Sequence, residues 1–273
     1  MKYKVLVCDL DGSLFEATKL PIVSDRCKEL LVKLQQQGVI IVLNTARIFH
    51  GCYPLAKHLE LHKYGGYLVC CNGAMVYDMA KEETIFLEDI DRDDALAMWD
   101  YAIHEKGCNF AIAQPEYMVT NAEKHGFAID REACNIDYLC TYYPEKRITA
   151  PIWKCAIAMS EEYLDANFND LKKSMEAKFP YKVVRSAERY VDISRKHCDK
   201  VFALNHLFDL LQVKWEDACI LGDGNSDAEM IRLAGYGVTL ENGSDLCKKH
   251  AKRIVPDILE DGCCVLFEEL LGE

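Results

Sequence analysis

Short apolar runs alternate with amphipathic stretches through the first 74 residues of the chain. Val5 to Cys8, Val39 to Leu43 and Gly66 to Cys71 are near-continuous hydrophobic runs of strand length. That is the pattern of strands buried on both faces. Between the first two, Cys27, Leu30, Leu31 and Leu34 recur at helical spacing behind Ser24. This predicts a helix capped by the serine and closed at Gly38. A second helix is predicted over Tyr53 to Leu61. Strands separated by helices give the βαβ rhythm of a parallel sheet.

The texture changes near Met75. Met75 to Asp78 and Thr84 to Glu88 read as a hairpin around Ala80-Lys81-Glu82, and Asp91 to Lys106 as one amphipathic helix. Asn109 to Ala113 with Tyr117 to Thr120 predicts another hairpin, and residues 121 to 148 give no readable period. Ile152 to Met159 is a strand, Glu161 to Phe179 a helix, and Tyr181 to Arg185 with Tyr190 to Ile193 a final strand pair. From Lys200 the βαβ rhythm returns: a helix to Leu211, a strand Ala218 to Leu221, a helix Ala228 to Leu233, a strand Gly237 to Leu240, then Asp245 to Lys252, Arg253 to Val255 and Cys264 to Leu271. The outer segments resemble each other and the middle differs. The expected organisation is an α/β domain of residues 1–82 and 191–273, with an α+β unit of residues 83–190 inserted into it.

Composition narrows the class. Half of the 273 residues are hydrophobic and 28% are charged, which predicts a packed, soluble chain. A net charge of −12 argues against a nucleic-acid partner. No apolar run reaches the length of a membrane span, and Met1-Lys2-Tyr3-Lys4 leads straight into a strand with no signal-peptide pattern. Fourteen cysteines are scattered, with no Cys-x-x-Cys pair and no zinc-type Cys/His spacing. Reduced, mostly buried thiols in a cytoplasmic protein are expected. The His58/His62 pair is expected on a helix surface, not at a metal.

The chemistry stands where strands stop. Val5 to Cys8 ends in Asp9-Leu10-Asp11-Gly12-Ser13, and two carboxylates this close repel unless a cation or a shared proton relieves them. Gly12 permits a tight turn whose amide can face an anion. Two readings fit these residues: a carboxylate pair at the mouth of a sheet, or an Asp-Gly surface turn. Further on, the chain sets Asn44-Thr45-Ala46-Arg47, then Lys200, then Gly222-Asp223-Gly224-Asn225-Ser226-Asp227. Taken singly, Lys200 reads as a solvated helix-start lysine, Arg47 as a surface residue and Asp227 as an acid in a helix's first turn. A parallel sheet would gather all four sets at one edge. There, carboxylates suit a hard cation, while a lysine, a hydroxyl and backbone amides suit a phosphoryl group.

In this order the four sets resemble the motifs of the haloacid dehalogenase superfamily of phosphohydrolases, in its Cof-type, class IIB capped branch. Asp9 to Ser13 matches the first motif, with Ser13 where Thr is commoner. Asn44 to Arg47 resembles the second, with Ala46 in place of the usual Gly. Asn72-Gly73-Ala74 matches the segment leading to the cap. Asp192-Ile193 followed by Lys200 resembles the third, with Val201 where Gly is typical. Gly222 to Asp227 resembles the fourth, with Ser226 in the usual Asn place. Glu241-Asn242-Gly243 stands where the branch often has Gly-Asn-Ala.

The resemblance implies a Rossmann-like parallel-sheet core with an α+β cap, and a Mg²⁺-dependent phosphatase of small phosphorylated metabolites such as sugar phosphates. It implies that Asp9 is the nucleophile forming an aspartyl-phosphate, and that Asp11 protonates the leaving group and then activates water. Asp9, Asp223, Asp227 and the Asp11 backbone carbonyl would serve the metal. Gly12, Thr45, Ala46, Arg47, Asn72, Lys200, Asn225 and Asn242 would line the phosphate and substrate, with Asn225 able to stand in for the usual Asn at the Ser226 position. Two other outcomes keep the same residues: a phosphomutase, which would depend on a bisphosphate activator, and a silent phosphometabolite-binding protein. The oligomeric state is not readable from the chain.

Overall fold

A computed structural model describes residues 2–16, 20–115, 117–134, 136–149 and 151–272. In chain order the elements are β1 (Val5–Cys8), α1 (Asp25–Gln36), β2 (Ile40–Asn44), α2 (Tyr53–His58), α3 (Leu61–Tyr64), β3 (Tyr67–Cys70), β4 (Met75–Asp78) and β5 (Glu83–Leu87). There follow α4 (Arg92–Asp100), β6 (Asn109–Ala113), β7 (Met118–Thr120), α5 (Gly126–Cys134), β8 (Tyr138–Cys140), β9 (Lys154–Ala158), α6 (Glu161–Lys178), β10 (Tyr181–Ala187) and β11 (Tyr190–Arg195). The chain closes with α7 (Lys200–Leu211), β12 (Ala218–Leu221), α8 (Ala228–Leu233), β13 (Tyr236–Leu240), α9 (Asp245–His250), β14 (Arg253–Val255) and α10 (Gly262–Leu271). Among the described residues, no helix is long and apolar enough to cross a membrane.

The elements form two compact units: Met1–Arg47, Cys52–Phe86 and Asp199–Glu273 in the first, Ile48–Gly51 and Leu87–Cys198 in the second. The first holds an eight-stranded sheet in the order β14-β13-β12-β1-β2-β3-β4-β5. From β14 to β3 neighbouring strands run parallel, and β4 returns antiparallel on β3. β1 lies inside this sheet with Val5, Leu6, Val7 and Cys8 at zero exposure. Complete burial of an aliphatic side chain is worth roughly 1.5–3 kcal/mol, so β1 anchors the site-bearing edge strongly. As expected, the Ser24 hydroxyl caps α1 by accepting from the Cys27 amide at 3.1 Å.

The second unit has a six-stranded sheet, order β10-β11-β9-β6-β7-β8. Alternation sets one face into an apolar core: Cys155 and Ile157 of β9 and Val191 and Ile193 of β11 join Trp99, Phe110, Leu164 and Leu171. The intervening residues of β11 are Tyr190, Asp192 and Ser194, and those of β9 are Lys154, Ala156 and Ala158. Lys154 on β9 and Asp192 on β11 form a buried ion pair at 2.6 Å. Removing one partner leaves the other charge buried without that ion pair, which costs about 3–5 kcal/mol. Lys154→Met should therefore lower the melting temperature sharply, and adding Asp192→Leu should recover most of the loss. Equal melting of wild type and Lys154→Met would refute this.

Several expectations need correction. The unit boundaries fall at Phe86/Leu87 and Cys198/Asp199, not at 82/83 and 190/191. β5 extends the first sheet, and β11, with Asp192, is bonded between β10 and β9 in the second. The helix expected over Tyr53 to Leu61 breaks into α2 and α3 at Glu60, whose φ is 63°. His58 and His62 thus sit on different helices. The helix expected over Asp91 to Lys106 is α4, capped by Asp91, running into a widened π turn over Tyr101–Glu105. Residues 121 to 148, unreadable in sequence, hold α5 and β8.

Candidate active site

Register brings the strand ends of the first, second and fourth motifs to one level. Cys8 pairs with Leu43 on β2 and with Leu221 on β12. The next residues along each strand are Asp9, Asn44 and Gly222. Chain order reverses about β1, with β2 on one side and β12 on the other. That is the switch point where open α/β sheets place ligands.

The loop after β1 is shaped by contacts that sequence did not reveal. Gly12 has φ 85°, and a Cβ there would collide with the Asp223 carboxylate. Ser13 donates its hydroxyl to Asp223 Oδ1 at 2.7 Å, so the first motif directly aims a carboxylate of the fourth. Asn242, expected to touch substrate, donates to the Gly12 carbonyl at 2.8 Å and accepts from the Ile258 amide at 3.1 Å. It positions the loop. Asn72, in the left-handed region at φ 54°, donates its backbone amide to the Thr45 carbonyl at 3.2 Å. The Cys71 amide likewise holds the Arg47 carbonyl at 2.9 Å. The segment after β3 therefore braces the loop carrying Thr45, Ala46 and Arg47. Thr45 is buried, and its hydroxyl accepts from the Arg47 amide at 3.1 Å.

Lys200 is the first residue of α7, not the end of a strand in this sheet. Asp199 caps that helix by accepting from the Phe202 amide at 2.7 Å. A side chain at Gly73 would collide with the Asp199 backbone, so this glycine lets the helix start approach. The Lys200 ammonium, 5% exposed, then bridges Asp9 Oδ1 at 2.5 Å and Asp227 Oδ1 at 2.6 Å. Asp227 Oδ2 accepts from the Asp223 and Gly224 amides at 3.2 and 2.9 Å, which shapes the fourth motif into a closed loop. Asn225 and Ser226, on the tip of that loop, are exposed.

Asp11 is turned elsewhere. Arg47 grips it through Nε at 2.7 Å and Nη2 at 2.5 Å, and the guanidinium lies 5.1 Å over the Phe15 ring. Two-pronged pairing fixes orientation as well as charge. Arg47, expected to contact substrate, is here the residue that sets the Asp11 rotamer.

Asp9, Asp223 and Asp227 offer carboxylate oxygens all within 4.8 Å of one another. Burial pushes the Asp9 carboxyl well above its ordinary value, Lys200 pulls it down, and the neighbouring Asp227 and Asp223 charges push it up again. Burial raises Asp223 too, opposed by the Ser13 hydrogen bond and aided by Asp227. Burial alone would lower Lys200, but Asp227 and Asp9 together raise it, so it stays charged. Three acids face one ammonium. A hard divalent cation bound through oxygen would relieve the excess, and this donor set fits one. Asp9 and Asp223 are its natural direct ligands, because both oxygens of Asp227 are already engaged.

Several known proteins resemble this chain. The model of the haloacid dehalogenase-like hydrolase family matches residues 6–265. A Bacillus subtilis 5-amino-6-(5-phospho-D-ribitylamino)uracil phosphatase, YcsE, is 24% identical over 261 residues, covering 95% of this chain and 92% of its own. A crystal structure of a haloacid dehalogenase-like hydrolase from Bacteroides thetaiotaomicron superposes with a TM-score of 0.90 at 26% identity, over 98% of this chain and 100% of that one. The subclass IIB sugar phosphatase BT4131 has the same fold, with a TM-score of 0.75 at 19% identity over 98% and 99% of the two chains. With a family match from β1 into α10 and four motif segments meeting about one sheet edge, the chain belongs to the haloacid dehalogenase-like hydrolases, as one of their phosphate-monoester hydrolases.

Proposed function

We propose that this phosphatase hydrolyses small phosphorylated metabolites of the sugar- or polyol-phosphate class through a covalent phosphoryl intermediate on Asp9. The observation that carries the reading is the Lys200 ammonium bridging Asp9 and Asp227, beside the second carboxylate of Asp223. An ionised carboxylate nucleophile needs its charge held against burial; Lys200 pulls Asp9 toward that form, and a bound cation would complete the compensation. An oxygen of Asp9 attacks phosphorus, the bond from phosphorus to the ester oxygen breaks, and Asp11 passes its proton to the departing alcohol. Asp11 then takes a proton from water as that water attacks the phosphoryl group, which releases inorganic phosphate and restores Asp9. Arg47 engages both Asp11 oxygens in this structure, so one of those contacts opens when Asp11 carries the proton. Thr45, whose hydroxyl accepts from a backbone amide, has its proton to give to a phosphoryl oxygen. Mg²⁺ held by Asp9 and Asp223, with Asp227 in support, supplies neutralising charge to the phosphoryl oxygens when bound.

The substrate class is supported by the activity of YcsE and by the fold shared with a sugar phosphatase. We assign the choice among metabolites to the second unit, acting as a cap. A reducing, cytoplasmic setting is supported by fourteen cysteines, thirteen of them buried and none in a disulfide among the described residues. The test is phosphate release over a panel of phosphorylated metabolites with and without Mg²⁺. Turnover should vanish in excess chelator and return with Mg²⁺, and Ca²⁺ should support it poorly because its shell is larger and looser. Full activity in excess chelator would sink the metal assignment, and phosphate release from no member of the panel would sink the substrate class.

A further inference from the structure

The first unit holds a second cluster that no sequence motif announces. Cys27 of α1 and Cys263 and Cys264 of α10 bring their sulfurs within 4.8 Å of one another, and all three side chains have zero exposure. The three sulfurs come from opposite ends of the chain, which is why spacing along the sequence is silent about them. Cys27 is the third residue of a 12-residue helix, and Cys264 the third of a 10-residue one. Hydrogen bonding among the sulfurs and burial push the Cys27 and Cys263 thiols up, while hydrogen bonds from Cys263 and Cys27 hold Cys264 low, so the three sulfurs already share protons and one negative charge sits most readily on Cys264. An ion pair fixes the helices against each other: Arg26 on α1 reaches Glu268 on α10 through Nη2 at 2.6 Å and Nε at 3.1 Å.

Buried cysteines commonly serve as small hydrophobic groups, and Cys155 in the second unit's core is one such residue. The triple differs in its geometry. Metal–thiolate bonds of about 2.3 Å put the sulfurs of a planar three-coordinate site about 4 Å apart. The observed spacing reaches that with shifts of a few tenths of an ångström. Structural zinc closes its shell with four protein ligands, yet among the described residues no histidine or carboxylate joins these three sulfurs. Three soft donors in a dry pocket suit a soft cation content with three.

We propose that Cys27, Cys263 and Cys264 form a three-thiolate site for a soft, closed-shell monovalent cation of the Cu(I) type. Binding passes the proton of each coordinating thiol to solvent and transfers no electron, since the copper arrives and remains as Cu(I). Access requires the turn before α10 to open, and Leu259 and Glu260 in that turn are exposed. A cation joining α1 to α10 in the folded state alone would stabilise the fold by linkage. The site is independent of the phosphatase reading and can fail without it.

The reduced full-length protein is titrated anaerobically with Cu(I) alone, against a colorimetric Cu(I) chelator as competitor. One Cu(I) per chain should be retained, the melting temperature should rise, and X-ray absorption should report three sulfurs at about 2.3 Å. Cys27→Ala and Cys264→Ser should each lose the retained copper, while Cys140→Ser, at the one exposed cysteine, should keep it. Retention by Cys27→Ala overturns the site, as does failure of wild type to compete. Should the variants fold poorly, the wild-type spectrum decides: a shell of two sulfurs, or one containing nitrogen or oxygen, also overturns it.

Discussion

Asp9→Asn abolishes phosphate release, with turnover falling by on the order of 10⁴–10⁶-fold, the scale seen when a nucleophile is removed from an interdependent catalytic set. The amide keeps the shape and volume of the side chain but loses the anionic nucleophile and an anionic metal ligand. The same variant should not be less stable than wild type in the absence of metal. Burial and two neighbouring acids raise the folded Asp9 value above the ordinary carboxylate value of about 3.9, despite the pull of Lys200. A group raised in this way contributes stability at low pH and loses it as pH rises from the unfolded value through the folded one. Asparagine does not titrate. The melting temperature of metal-free Asp9→Asn should therefore match or exceed wild type, by a margin that widens as pH rises through that window. Residual turnover near wild type in a folded variant would remove Asp9 from its role. A margin that narrows with rising pH would mean that Lys200 outweighs burial, the reverse of the balance in this site.

The strand ends were legible because a buried parallel strand is a continuous apolar run, and its abrupt stop at Asp9, Asn44 or Gly222 marks the sheet's edge. The βαβ rhythm on both flanks likewise showed an insertion. Its boundaries were not legible, since Thr84 to Glu88 and Tyr190 to Ile193 both read as hairpin strands, and side-chain alternation does not say which sheet a strand joins. That information lies in pairing across the chain. The same limit hid the roles of Ser13, Gly73 and Asp199, each defined by a partner distant in sequence. A hydroxyl directly after Asp-x-Asp-Gly, and an acid directly before Lys200, were the available signals. Arg47 and Asn242 were identified as site residues, but the neighbours they hold, Asp11 and Gly12, were not legible. The cysteine triple was unreadable for the opposite reason, because a scattered composition looks like core packing until the fold brings the sulfurs together.

Lys200→Met separates the electrostatic role of the lysine from its bulk. Methionine is apolar and of similar length, so the α7 start keeps its packing while the ammonium disappears. Asp9 and Asp227 then lose a bridge made at 2.5 and 2.6 Å, and three clustered acids are left without a cation. Removing a charged stabiliser of a transition state costs about 10²–10³-fold in kcat, and removing one partner of a buried ion pair costs about 3–5 kcal/mol of stability. The pH dependence gives the sign. The folded Lys200 value is raised, so its contribution is complete below about 10.4 and is lost only above that. Wild type therefore keeps the whole benefit at neutral pH. In the variant the acids can recover by taking up protons, which they do more readily as pH falls. The stability deficit should thus be larger near pH 8 than near pH 5, and Mg²⁺ should reduce it by restoring positive charge. Lys200→Arg should regain part of the stability and little of the activity, since a planar guanidinium cannot occupy the point between two carboxylates that an ammonium fills. Thermal melts and steady-state kinetics on both variants decide the matter. A deficit equal at both pH values and indifferent to Mg²⁺ would mean that Lys200 merely fills space at the helix start, and the assignment of its charge to the site would fall.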